Sequence, residues 1–195
     1  MIKKITALLV LLLAVSALTV GAFAATTTAY VKKGASGTGL SSSSPVGSIS
    51  EAFGLFSAEG GTIYIIGEYP ITSGTTISEK KFDYTLKAGT GGCISLSANI
   101  ALDQNTNDNT VTFDLPFKLV GSDTRILFGG FNNVVFGKNF SVEAPSGGVL
   151  NFYGGMRSGS VEAITVLPYS IVVNAGKFNV FAGGNFRDSI SAYVG

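Results

Sequence analysis

Hydrophobic positions along this chain follow two periods, and the change from one to the other comes early. Ile49, Ala52, Phe53 and Phe56 stand at i, i+3, i+4 and i+7, the apolar stripe of an amphipathic helix. Ser48 and Glu51 make an S-x-x-E capping box, in which side chains satisfy backbone N–H groups at the helix start. Pro45 lies upstream, where it cannot interrupt the helix. Gly60 is placed to take the left-handed position that stops a helix. The pattern therefore predicts a helix over Ser48–Glu59. Thr62-Ile63-Tyr64-Ile65-Ile66 follows, β-branched and aromatic, with Gly on either side. It is apolar on both sides, which predicts a strand buried on both faces.

Beyond this point only the period of two remains. Thr75–Ile77, Tyr84–Lys87 and Ile94–Leu96 are short segments with strand character. In Thr110–Leu115 the residues Val111, Phe113 and Leu115 share one face. Ser160–Val166 and Ser170–Val173 come later. Gly, Asn, Asp and Ser separate these segments, and no second helical stripe occurs, so the body reads as all-β. A weak repeat runs through the second half. Ile126–Asn132, Leu150–Arg157 and Asn179–Asn185 each carry an aromatic residue followed by a Gly-Gly doublet or, in the last, by Ala and the doublet. The doublets begin at Gly129, Gly154 and Gly183, a spacing that fits one coil of a solenoid with variable loops. Gly-Gly suits a corner where φ is positive and a side chain would strike the coil above. The fold expected is a parallel β-helix with a short N-terminal capping helix. The alternative is a β-sandwich with Gly-Gly hairpins.

The stretch Ala29–Tyr69 adds a resemblance. Its order is Tyr30-Val31, a Gly/Ser loop, Pro45, a helix containing Ala52, and Gly60-Gly61-Thr62-Ile63-Tyr64-Ile65-Ile66-Gly67. This resembles the N-terminal entry of pectate-lyase-like right-handed parallel β-helix proteins. In that superfamily a short helix plugs the open end of the stack, and lyases, adhesins and surface proteins share the fold. Its lyases abstract a sugar C5 proton with a basic side chain, and several use calcium held by carboxylates. The Asp-rich form of the first loop, frequent in relatives, is replaced here by Gly34-Ala35-Ser36-Gly37-Thr38-Gly39.

Composition narrows the function. Lys3 and Lys4, an apolar run from Ile5 to Val15 and Ala22-Phe23-Ala24 make a secretory signal peptide over residues 1–24. Residues 25–195 form the β-helix domain, read as the N-terminal part of a longer solenoid. Small residues dilute the second half of the leader, so no membrane span is expected after cleavage. Without Lys3 and Lys4 the thirteen basic residues fall to eleven, against twelve acidic ones. No basic stripe remains for nucleic acid. Cys93 is the single cysteine, so no internal disulfide forms, and it reads as a small buried apolar residue. The sequence contains no His, which excludes His triads, His-bound zinc and a His general base.

Candidate chemistry is sparse. Asp103–Asn109 places oxygen side chains at alternate positions, with Asp114 in the twelfth place, as in a calcium loop. Asp108 occupies the place that needs Gly, so the loop reads as solvated, with calcium as the alternative. No other cofactor is implied. Arg125, Arg157 and Arg187 sit near Gly-Gly corners, with Lys118, Lys138 and Lys177 on the same part of the chain. Glu143, Glu162 and Asp188 are scattered and pair with none of them by spacing, so no residue is assigned as catalytic or metal-binding. Tyr30, Tyr64, Tyr69, Tyr153 and Tyr193 are candidates for core packing or for sugar stacking.

The reading is a secreted or cell-surface, non-catalytic β-helix for adhesion or contact with polysaccharide or cell-surface glycan. The alternative is the N-terminal part of a polysaccharide lyase or hydrolase acting on acidic polysaccharides. Ser189–Gly195 alternates like a strand and has no cap, so edge-to-edge self-association is expected at that end. Export is directly testable. N-terminal sequencing of the secreted product should begin at Ala25, and a membrane-bound form that keeps Met1 would count against cleavage.

Overall fold

The computed structural model describes residues 26–56, 60–77, 82–102, 109–155 and 170–183. The leader, most of Asp103–Asn109, Ser160–Val166 and Ser189–Gly195 lie outside the described residues. Strand β1 (Thr28–Val31) and helix α1 (Ile49–Phe53) open the described chain. A first coil follows as β2 (Gly61–Ile65), β3 (Glu68–Ile71) and β4 (Thr75–Ile77). The second is β5 (Tyr84–Ala88), β6 (Cys93–Leu96) and β7 (Ile100–Leu102). The third is β8 (Thr110–Asp114), β9 (Pro116–Leu119) and β10 (Thr124–Phe128). The fourth is β11 (Asn133–Phe136), β12 (Ser141–Glu143) and β13 (Val149–Tyr153), after which come β14 (Ile171–Val173) and β15 (Val180–Ala182).

Each strand pairs in parallel with its counterpart one coil away. This gives a six-stranded sheet β1-β2-β5-β8-β11-β14, a five-stranded sheet β4-β7-β10-β13-β15 and a four-stranded sheet β3-β6-β9-β12. The result is a parallel β-solenoid of about 4 turns, and the sandwich alternative falls away.

Register turns alternation within a strand into columns along the axis. Ala29, Ile63, Leu86, Phe113 and Phe136 follow one another inward on the six-stranded sheet, all fully buried. Ile94 and Phe117 do the same on the four-stranded sheet, and Ile100, Leu127 and Phe152 on the five-stranded one. The rings of Phe113 and Phe136 stack at 5.9 Å, and Phe117 meets Phe113 edge-on at 5.5 Å. Burying each such side chain contributes about 1.5–3 kcal/mol.

Corners interrupt the backbone ladder, and short polar side chains bridge the gap. Asp83 Oδ1 accepts the Thr110 N–H at 2.7 Å, and Asn99 Oδ1 accepts that of Ile126 at 3.0 Å. Asp114 Oδ1 accepts the Asn139 N–H at 2.9 Å, and Asn133 Oδ1 accepts that of Ser170 at 2.7 Å. In every case the acceptor stands on one coil and the donor on the next. The Gly-Gly corners stack as the repeat predicts. The Gly129 N–H donates to Tyr153 O at 2.7 Å, and a Cβ at Gly129 would lie 2.8 Å from Gly154 O. Gly130 and Phe131 have φ of 61° and 63°, the left-handed pair of a tight turn closed by Asn132 N–H to Gly129 O at 3.0 Å.

The N-terminal end is closed in two layers. Backbone of the Gly/Ser loop covers the outer edge of β1: Tyr30 N–H donates to Gly39 O, Lys32 N–H to Val46 O, and Val46 N–H to Tyr30 O. Ile49, Ala52 and Phe53 then bury the helix stripe against the first coils. The capping box forms, with Glu51 N–H donating to Ser48 Oγ at 3.1 Å and the Glu51 carboxylate accepting the Gly47 N–H. The helix is shorter than predicted. It ends at Phe53, because Gly54 and Leu55 turn with i→i+3 bonds to Glu51 and Ala52. Gly60 does take φ +76°, but at the entry to β2. Strand β2 also departs from expectation: Ile63 and Ile65 are buried, while Thr62 and Tyr64 are half-buried on the outside. A solenoid coil has only one inner side, so an apolar strand can still face outward.

Phe53 meets Tyr84 edge-on at 4.9 Å and Phe82 at 6.1 Å. Phe53→Asp would place an unpaired charge among these rings, and thermal or denaturant unfolding should show a loss of several kcal/mol, roughly 3–5. A variant that unfolds with the parent would mean that α1 does not cap the stack.

Candidate functional site on the four-stranded sheet

The outer face of β3-β6-β9-β12 carries the densest polar chemistry among the described residues. Pairing puts Glu68 beside Cys93, Ser95 beside Lys118, and Lys118 beside Glu143. Glu68, Lys118 and Glu143 thus stand on three coils of one face. The Lys118 ammonium lies 3.5 Å from the Glu68 carboxylate, with both side chains about half exposed. Ser95 also hydrogen-bonds the Glu68 carboxylate. Two adjoining shallow depressions of about 590 and 520 Å³ share Glu68, Lys118 and Glu143. One extends over Val120 and Pro145, the other over Gly91, Gly92 and Cys93.

Local sequence explains the surface. Pro70 and Pro116 lie in strands of this sheet, which are four residues long at most. Short strands with one inward anchor, such as Phe117 in β9, leave the alternate positions free for charge. The hydrogen bond from Ser95, and after it the Lys118 ammonium, hold the Glu68 carboxyl below its ordinary value. Burial, and then the Glu68 carboxylate, pushes the Cys93 thiol up, against a downward pull from Lys118. Cys93 is half-buried on this outer face, not in the core as the sequence suggests.

Residues singled out by sequence fare differently. Arg125 is occupied: it donates to the carbonyls of Leu96, Thr124 and Val120 and pairs with Asp123 at 3.2 Å. Lys138 and Lys177 are exposed. Arg157, Arg187, Glu162 and Asp188 lie outside the described residues. Asp114, the twelfth place of the calcium pattern, holds Asn139 through both carboxylate oxygens. Among the described residues no group of three or more His, Cys, Asp or Glu gathers where it could hold a metal ion. Tyr69 is buried and receives the Ile49 N–H on its hydroxyl, with Lys33 over its ring at 5.3 Å. Sequence reading put Lys118 on the same part of the chain as the Gly-Gly corners, left Glu143 scattered and passed over Glu68. The signal was present in the coil spacing, but only once β3 and β9 were placed.

No protein-family model, no curated protein and no solved structure matches this chain.

The lowered Glu68 value sets a sign. Its ion pair is fully formed above the ordinary glutamate pKa and is lost as pH falls through the lowered one. An NMR titration of the side-chain carboxyl should give a midpoint below that of a free glutamate. Ser95→Ala should raise it more than Lys118→Met does. A midpoint at the free value would remove the proposed contacts.

Proposed function

We propose that the chain is a secreted or cell-surface β-helix protein of the pectate-lyase-like kind. It holds polysaccharide or cell-surface glycan against the outer face of the four-stranded sheet, without catalysis. The observation that carries the reading is the set Glu68, Lys118 and Glu143, brought to one face by strand register and spread over open, shallow depressions. Carboxylates and an ammonium supply both acceptors and donors for sugar hydroxyls. The surface is shallow and open to water, which suits holding a chain better than excluding water from a reacting bond.

The second reading is the N-terminal part of a lyase or hydrolase for acidic polysaccharides. Glu68 and Lys118 favour it, because an acidic and a basic group at coil spacing are what such chemistry needs. Against it stands the Lys118 ammonium, already committed to Glu68.

Incubation of the purified chain with pectate or alginate, with and without calcium, should give no ultraviolet absorbance from unsaturated uronates. On immobilised glycans, Lys118→Ala together with Glu143→Ala should weaken retention about tenfold, the value of one or two lost hydrogen bonds. Steady product formation abolished by Lys118→Ala, Arg157→Ala or Arg187→Ala would reverse the order of the two readings.

A further inference from the structure

The outer face of the six-stranded sheet carries a second, chemically different array. Thr28, Thr62, Thr85 and Thr112 follow one another in register over four successive strands. Thr110 stands beside Asn133 in the neighbouring column, and Tyr30 beside Tyr64 in the column on the other side. All four threonines and both tyrosines are half-buried, with their outer ends at the surface. The tyrosine rings stack on each other at 5.4 Å and 18°. One face of each ring is therefore spent on the other, and the pair presents edges and hydroxyls outward. A depression of about 340 Å³ opens over Thr62, Asp83, Thr85, Thr110 and Thr112.

Strand spacing sets the period of this array at about 4.8 Å along the axis. Each hydroxyl can both donate and accept, and each threonine adds a methyl group beside it. The two carboxylates at the margin are engaged. Asp83 holds the Thr110 N–H, and Asp114 holds Asn139. Lys87 pairs in register with Asp114 at the edge of the face. A face of this kind complements a ligand that is rich in hydroxyls, extended, periodic and uncharged. A uronate polymer would find one lysine and two carboxylates.

The geometry points to a second binding face, on which a linear neutral polysaccharide lies along the solenoid axis over Thr62, Thr85 and Thr112. This shares with the proposed function the premise of a glycan ligand, but it uses another sheet and another ligand charge. The test is retention of the full chain on insoluble neutral glucan, compared with soluble polygalacturonate. Thr85→Val with Thr112→Val keeps the β-branched shape and removes two hydroxyls. Retention on glucan should fall about tenfold, with unchanged circular dichroism and melting temperature. The same double variant should leave retention on polygalacturonate unchanged, which separates this face from the four-stranded one. Unchanged retention in the double variant overturns the proposal, and so does failure of the parent chain to bind any neutral glucan. Tight binding to polygalacturonate that the threonine variants abolish would also overturn it, by assigning the face to acidic chains. If the double variant loses its fold, Tyr64→Phe, which removes one surface hydroxyl, should still lower retention, and no change there counts against the face.

Discussion

Each described strand pairs with a strand one coil away. Parallel pairing between coils is the constraint from which the rest follows. It forces each position to sit over its counterpart, so Ile63, Leu86, Phe113 and Phe136 form one column and Thr62, Thr85 and Thr112 another. It also makes loop length a free variable, since only the strands must come back into register. Val134 pairs with Ile171 across a long excursion, while Val111 reaches Val134 by a much shorter one.

Much of the fold was legible because the strands obey local rules. Thr110–Leu115 alternates strictly, and the structure turns Val111, Phe113 and Leu115 inward. The Gly-Gly corners were legible because a side chain there meets the backbone of the coil above. Strands β3 and β9 were not legible. Pro70 and Pro116 argue against a central strand, and such short segments carry little alternation. They hold because each has an inward anchor in a column already built by its neighbours. The helix was placed correctly at its start, where the cap is a matter of local chemistry. It was overextended at its end, where tertiary packing of Phe56 against Phe82 takes over.

The candidate site was hidden for the same reason. Glu68 and Lys118 are far apart in sequence, and their contact exists only through register on the four-stranded sheet. Arg125 showed the opposite error. It looked like a free cation beside a corner, yet its guanidinium is spent on three carbonyls and Asp123. In a solenoid, chemistry is read down the columns. A residue beside a glycine corner is more often holding that corner.

The Asp and Asn links at the corners have a consequence for how such a chain tolerates change in length. Each link joins an acceptor below to a backbone N–H above, as Asp114 does to Asn139. The upper side of one coil, which carries the acceptors, therefore complements the lower side of any other, which carries the donors. Length is quantised: a whole coil gained or lost moves everything beyond it by about 4.8 Å and creates no new type of interface. A single residue gained inside a strand does the reverse. It turns the residues beyond it in that strand from the inner face to the outer one, until a loop takes up the extra residue.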